Sequence, residues 1–574
     1  MTRPAVDRPS WLTPRSRWGL IVLAAIAFSL WQARVFEPNR FNVGGIPQLL
    51  RFVQASVQPD LSLDFLQLTL DAAIVTFAYA VCGTFFSIVF GCVGGILASE
   101  VWWVSVLPRH ATRPIWLGIR ATLAVPRAIH ELIWGLFFVN LFGLDPLVAI
   151  VAIAVPYGAI VAKVFSEILD ETPRQPLIAL LNSGVAPFTA FLYTLLPQAF
   201  LDLLSYTFYR FECSVRSAAV LGIIGAGGLG YQILLSLQSL RYEQLWTLFY
   251  ALFLLNGAID FFSAWLRRRL GSPSRLDLNL RKQARSRGSG GSLPDAHPAR
   301  QPPERDRWLV AVGLGGLLLL PFSFWYVGAD FSKLWSARTL ELLGDVAQTA
   351  FPPNLDQSQW QLGMVAVQTV AMSILAIAIA GCGGILLSFP AAHTFFLPGG
   401  LFTPAQPSWR DRVLAWTGVL GTRAALLIAR AVPAPIWALV ALFVLFPGIL
   451  PGAIALALHN MGILGRLMAE SNENLDPRPL VALKAQGTPA ALVFLYGVLP
   501  MTLTRSIAYI LYRWEVCLRE TVIVGLVGAG GLGRLLTEQL SSFDYRRVVV
   551  TLGWFVILTF GVDWVSGAMR RSLR

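Results

Sequence analysis

The sequence predicts an all-α membrane protein of about twelve transmembrane helices, arranged as two parallel six-helix repeats. Three observations carry this expectation. Of 574 residues, 55% are hydrophobic and 13% charged, with a mean hydropathy of +0.62. Soluble domains carry roughly 25% charge, so the chain has too few charges to cover a water-facing surface. The apolar residues form long continuous runs, which excludes the alternating pattern of a transmembrane barrel. A stretch of the first half also returns in the second at a constant offset of 303 residues. Disorder, a fibrous repeat and a disulfide scaffold are excluded by the same composition.

The first run, residues 18–36, follows Arg3, Arg8, Arg15 and Arg17. No small-residue cleavage site follows it, so it reads as a signal anchor with a cytoplasmic N-terminus. Further runs lie near 66–98, 119–143, 146–165, 199–224 and 246–266. Residues 267–307 then hold eleven Lys/Arg against four Asp/Glu, +7 of the total +13, in a Ser/Gly/Pro-rich setting. The expected division is a first transmembrane domain at 1–270, a basic flexible cytoplasmic linker at 271–306 and a second transmembrane domain at 307–574. No aromatic residues interleave the linker's charges, so nucleic acid is not an expected partner. Runs near 308–327, 361–388, 413–446, 449–468, 501–527 and 548–568 follow, and the chain ends Arg570, Arg571, Arg574. An even count per half and the arginine bias both place the N-terminus, linker and C-terminus in the cytoplasm.

Residues 206–230 and 509–533 are identical at twelve of twenty-five positions. Arg210, Glu212 and Arg216 return as Arg513, Glu515 and Arg519. Gly225, Gly227, Gly228 and Gly230 return as Gly528, Gly530, Gly531 and Gly533. Upstream, residues 94–97 match 383–386 at an offset of 289, which predicts about 14 extra residues in the next loop of the second half. Six spans separate equivalent points, so the repeats share one orientation and a pseudo-two-fold axis along the membrane normal is expected.

Counted from Phe200 at ~1.5 Å per residue, Arg216 lies ~24 Å up a ~30 Å hydrocarbon core, in its outer half. Glu212 and Arg216 are i,i+4 and can pair, while Arg210 points to the opposite side. A structural ion-pair network and a cationic lining for an anion both fit these six residues. The glycine cluster reads as an outer gate or re-entrant turn, with close helix packing as the plainer alternative. His130, Glu131 and His459 occur in one half each and read as interior polar contacts. Five cysteines without a C-x-x-C pair, five histidines without ligand spacing and no phosphate-loop motif point to no catalytic residue, metal or cofactor.

Between the fourth and fifth runs, Pro176, Ala179 and Gly184 precede Leu196 and Pro197; Pro479, Ala482 and Gly487 precede Leu499 and Pro500. The glycine permits a sharp turn after a short helix, and the proline suits the first turn of the re-entering helix. A short helix outside the membrane can dock on a soluble partner. This spacing resembles the EAA loop of ABC-transporter permeases, the family served by periplasmic or lipoprotein binding proteins. It departs at the family's Glu, replaced by Ile178 and Val481. The segment around Arg210 and Glu212 with the glycines that follow, and residues 431–438 with 455–462, resemble the phosphonate-type permeases.

The resemblance implies a type I ABC importer permease fold with two permease units fused in one chain. It implies that Ala179, Gly184, Pro197, Ala482, Gly487 and Pro500 build the docking sites for two ATP-binding cassette subunits, where ATP is hydrolysed. It also implies a substrate-binding protein, a bacterial cytoplasmic membrane, and transport of phosphonate or a related oxyanion such as phosphite or phosphate. An amino-acid or osmolyte importer, or a secondary transporter, is the alternative.

Overall fold

The computed structural model describes residues 14–37, 41–106, 109–270, 307–353, 359–397, 400–403 and 408–573. The expected linker, 271–306, lies outside them. The first half contains α1 Pro14–Gln32, α2 Ile46–Ala55, α3 Leu63–Ala98, α4 Glu100–Val106, α5 Arg109–Ala128, α6 Glu131–Phe142, α7 Pro146–Glu171, α8 Gln175–Asn182, α9 Pro187–Leu221, α10 Gly228–Gln238 and α11 Tyr242–Arg269. The second contains α12 Arg307–Val327, α13 Ala337–Ala350, α14 Gln359–Ala391, α15 Trp409–Ala431, α16 Ala434–Val444, α17 Ile449–Glu473, α18 Arg478–Ala485, α19 Leu499–Leu526, α20 Gly531–Ser541 and α21 Tyr545–Leu573.

Among the described residues, nine helices are long and apolar enough to cross a membrane, or ten when the bent pair Thr112–Ala128 and Glu131–Phe142 counts as one. The remaining two of the expected twelve are the first helices of each half, whose apolar parts, Ser16–Gln32 and Leu314–Val327, are shorter. This is an all-α, multi-pass membrane protein.

The third span is not a single helix in either half. In the first it bends by 81° between α5 and α6. His130 stops the helix by capping the next one, its side chain accepting from Leu132 N at 3.2 Å. In the second half Pro433 begins α16, and the residue before it, Val432, is extended as a pre-proline residue must be. A tryptophan then stitches each break. Trp134 Nε1 donates to Pro126 O at 3.4 Å and Trp437 Nε1 to Ala429 O at 3.2 Å.

The compact units cross the expected boundaries at 270 and 307. One unit comprises residues 55–345; the other comprises 1–54 with 346–574. In the first, α12 lies on α3, with Phe324 against Phe85 and Phe86 at 6.1 and 5.8 Å. Beyond α12, the Lys333 ammonium bonds the carboxylate of Asp145, which also caps α7, and that bond raises the lysine above its ordinary pKa. In the second unit α1 lies on α14, burying Ser29 and Ala33. Asn42 N donates to Val444 O at 2.7 Å at the end of α16. Each half therefore gives its first helix to the other half's bundle. Apolar patterning shows that such a helix buries a face, and carries no record of which bundle receives it.

The second helices pack on the fourth through small residues. A Cβ at Gly91 would lie 2.3 Å from Val161, and one at Gly384 3.1 Å from Leu464. Val161 and Leu464 are 303 residues apart, but Gly91 and Gly384 are 293 apart. The match at 289 is therefore one helical turn out of register, and the second half's following loop is longer by ten residues, not about 14.

Candidate functional site

Each half presents one short helix at the same end of its bundle. α8 and α18 both stop at a glycine in the left-handed region, Gly184 at φ +80° and Gly487 at φ +78°. Val185 N reaches back to Leu180 O at 3.1 Å and Thr488 N to Leu483 O at 3.3 Å, closing the six-residue cap that such a glycine makes. Leu177 and Leu480 anchor the helices inward. Ala179 and Ala482 are exposed, as are Ile178 (51%) and Val481 (55%), which stand where the family's Glu was expected. The position of the family's Glu is thus apolar in both helices, while α18 also exposes Arg478 and Lys484. Pro197 is not in a first turn: α9 begins at Pro187, so Pro197 sits inside it. Pro500 does open α19, but helix already precedes it through a π-helical turn, Phe494–Val498, whose wider backbone makes room for the ring.

Beneath each short helix lies an ionic junction that sequence reasoning missed. Arg120 Nε donates to Ala98 O at 3.0 Å, capping α3, and pairs with Asp170 at 3.1 Å. Arg423 Nε donates to Ala391 O at 2.9 Å, capping α14, and pairs with Glu473. The arginines and the acids each recur at the 303 offset, so the repeat itself was the available signal. These junctions tie the ends of the second and fourth spans to the third, close to where each short helix begins.

The glycine cluster folds as helix, turn and short helix. Gly225, Gly227 and Gly228 have φ between +72° and +97°, and Gly528, Gly530 and Gly531 between +74° and +89°. The N-terminus of α10 is capped from α3: Leu229 N donates to Thr76 Oγ1 at 2.8 Å. Leu532 N donates to Thr369 Oγ1 at 2.9 Å in the same way. A Cβ at Gly228 would sit 2.5 Å from that Thr76 hydroxyl, and one at Gly531 2.9 Å from Thr369. Gly230 and Gly533 bring backbone against backbone, 1.8 Å from Ala219 O and 2.7 Å from Val522 Cα if a Cβ were added. α10 has 11 residues, about half what a span needs, so this segment does not cross.

The arginine–glutamate clusters are arranged differently from the expectation. Glu212 does not pair with Arg216. It accepts from Arg267 at 2.8 Å, and Glu515 accepts from Arg570 at 2.6 Å. Arg267 and Arg570 stand near the basic ends of α11 and α21, so the clusters are level with those ends and not in the far half. The count from Phe200 misplaced them because it measured height along the fifth helix alone and never against the sixth. Arg216 donates to Cys213 Sγ at 3.6 Å, and Arg519 Nε to Glu515 O at 3.3 Å, both on their own helices.

Arg210 and Arg513 differ most. Arg513 bonds both Glu520 and Asn460 Oδ1, and Asn460 Nδ2 donates to the other Glu520 oxygen at 3.0 Å. The first half has Ser217 in place of Glu520 and Tyr157 in place of Asn460. Arg210 lies over the Tyr157 ring at 4.5 Å, between Tyr206 and Tyr209 at 5.7 and 5.8 Å, with Nε donating to Tyr206 Oη at 3.1 Å. The acid of this half is Glu131, which accepts from Ser217 at 2.7 Å and lies 3.3 Å from His130 Nε2. Neither Tyr157 nor Glu520 had a sequence signal as a site residue; Glu131 and His130 were read as interior polar contacts, and that is what they make.

Two helical repeats crossing a membrane, each with an exposed short helix and a largely enclosed arginine, fit a transport subunit. Residues 91–272 and 420–574 match the family described as binding-protein-dependent transport system inner membrane component, and the chain belongs to that family. It is 28% identical over 503 residues, 87% of its length and 85% of the relative's, to the phosphate-import permease protein PhnE of Mycolicibacterium smegmatis. It is 31% identical over 268 residues, 46% of its length and 88% of the relative's, to the phosphite transport system permease protein PtxC of Stutzerimonas stutzeri. A putative cryptic phosphonate transport system permease protein of Escherichia coli, PhnE2, is 33% identical over 118 residues, 21% of this chain and 97% of the relative.

Proposed function

We propose that this chain is the membrane-spanning subunit of an ATP-driven ABC importer that carries phosphonate, phosphite or phosphate across the cytoplasmic membrane. One observation supports the anion most: Arg210 is buried, 8% exposed, with no carboxylate partner among the described residues, and an uncompensated charge there would be costly without a function. The relatives, named for phosphate, phosphite and phosphonate, agree with that chemistry. Two separate ATP-binding subunits dock on α8 and α18, and a periplasmic or lipoprotein binding protein delivers the anion at the opposite face. Closure of the ATPase pair moves the two docking helices together and shifts the population between inward- and outward-facing states. The glycine turns at 225–230 and 528–533 close the outer end, and the N- and C-termini lie in the cytoplasm. The arginine clusters then lie toward the cytoplasmic half of the path.

The test is uptake in cells that lack their own phosphate, phosphite and phosphonate importers and that express this chain with its ATPase and binding protein. Uptake of labelled phosphate, phosphite or methylphosphonate that stops when the ATPase is inactivated supports the reading. Uptake of an uncharged substrate alone overturns it.

A further inference from the structure

We infer that the two halves are unequal in handling the anion: Arg210 is the guanidinium that meets it, and Arg513 is a structural cation already neutralised by Glu520. This rests on the proposed oxyanion transport. Both arginines occupy the same place in the repeat, 303 residues apart, and both are largely buried. Their surroundings differ in charge. Arg513, Glu520 and Asn460 form a closed set in which the carboxylate uses one oxygen for the guanidinium and the other for the amide. That set has no net charge and little to offer an anion.

Arg210 is 8% exposed and has no carboxylate partner among the described residues. Its Nε is used by Tyr206, and three tyrosine rings surround the cation. Its terminal nitrogens meet no hydrogen-bond acceptor among the described residues. Ring faces stabilise a buried cation by their quadrupoles without cancelling its charge. The edge left over, formed by Nη1 and Nη2, has the fork geometry that pairs with two oxygens of a tetrahedral oxyanion.

The half's own acid is held away from Arg210. Ser217 gives its proton to Glu131, so the Tyr157 hydroxyl donates to Ser217 at 2.6 Å. His130 accepts from Leu132 N through Nδ1, which leaves the Nε2 proton facing Glu131. Both Glu131 oxygens are therefore engaged by groups other than Arg210. Ser217 follows Arg210 by seven residues, as Glu520 follows Arg513, so the exchange of Glu for Ser is the exchange that leaves Arg210 charged.

The test measures anion transported per ATP hydrolysed by the full complex in proteoliposomes, using phosphate and phosphite. Three variants are compared: Arg210→Gln, Ser217→Glu, and Arg513→Gln combined with Glu520→Gln. The expected result is a fall of about tenfold or more in anion per ATP for Arg210→Gln, the order expected for losing a charged hydrogen bond, with binding-protein-stimulated ATP hydrolysis retained. Ser217→Glu supplies the missing acid and produces the same loss. The paired change in the second half leaves the ratio within about twofold, as expected when both members of a buried pair are removed together. Should Ser217→Glu fail to assemble, Arg210→Gln and the paired change decide alone. Equal losses in both halves, or a normal ratio for Arg210→Gln, overturn the inequality while the oxyanion reading stands. A wild-type complex that moves neither anion overturns both.

Discussion

Glu212 accepts a hydrogen bond from Arg267 at 2.8 Å, across from the fifth helix to the basic end of the sixth. The same contact returns as Glu515 with Arg570 at 2.6 Å. Each carboxylate is at most 13% exposed, so removing its arginine leaves a buried charge uncompensated. Arg267→Leu should lower stability by ~3–5 kcal/mol, and Arg267→Leu with Glu212→Leu should recover most of it. Thermal unfolding of the purified protein, followed by tryptophan fluorescence, checks the pair.

The short helices α8 and α18, proposed to dock the ATPase, depend on their terminal glycines. No atom lies within 4 Å of a Cβ added at Gly184 or Gly487, so the constraint there is backbone conformation, not space. Gly184→Ala and Gly487→Ala should each cost about 1 kcal/mol and leave the complex assembled. Gly487→Trp should leave the membrane-inserted protein intact and remove the ATPase from affinity-purified complex. Retention of ATPase and transport with Trp at both sites would break the docking assignment.

The glycine turn at the other end behaves oppositely. At Gly228 both the conformation, φ +72°, and the Thr76 hydroxyl 2.5 Å from a new Cβ forbid a side chain. Gly228→Ala should reduce membrane abundance far more than Gly184→Ala. Thr76→Ala, which only orphans Leu229 N, should cost roughly 1–3 kcal/mol. Quantitative blotting of membrane fractions ranks the three.

The proposed orientation puts the arginine-rich ends of α11 and α21 both on the cytoplasmic side. Reporter fusions within residues 271–306 and after Arg574 should both report the cytoplasm. A periplasmic signal from either would reverse the assignment of α8 and α18 as docking helices.

What was legible in the sequence was what repeats or what composition forces. The spans, the offset of 303, the left-handed glycines and the short helices that end at them follow from apolar run length and from residue types with few alternatives, such as Gly184 and Gly487. The break at Val432 and Pro433 lay inside a continuous apolar run, and hydropathy does not register a bend. The pairing of Glu212 was misjudged because Arg216 is near in sequence, while Arg267 is near only in the packed bundle. The four-residue match at 94–97 was too short, within apolar helices rich in small residues, to fix a register that Thr76 and Thr369 fix through hydrogen bonds. The divergence of Arg210 from Arg513 was hidden because the arginines are identical, and their neighbours, Tyr157 and Asn460, lie on another helix.

The central claim is ATP-driven import of a phosphorus oxyanion by this chain with separate ATPase and binding-protein subunits. Proteoliposomes holding the purified complex, with ATP enclosed and loaded binding protein outside, test it most directly through accumulation of labelled phosphate and phosphite. Accumulation that requires both ATP and the binding protein, and is competed by methylphosphonate, is the predicted result. Accumulation without ATP, or ATP-driven transport of neither anion, would contradict it.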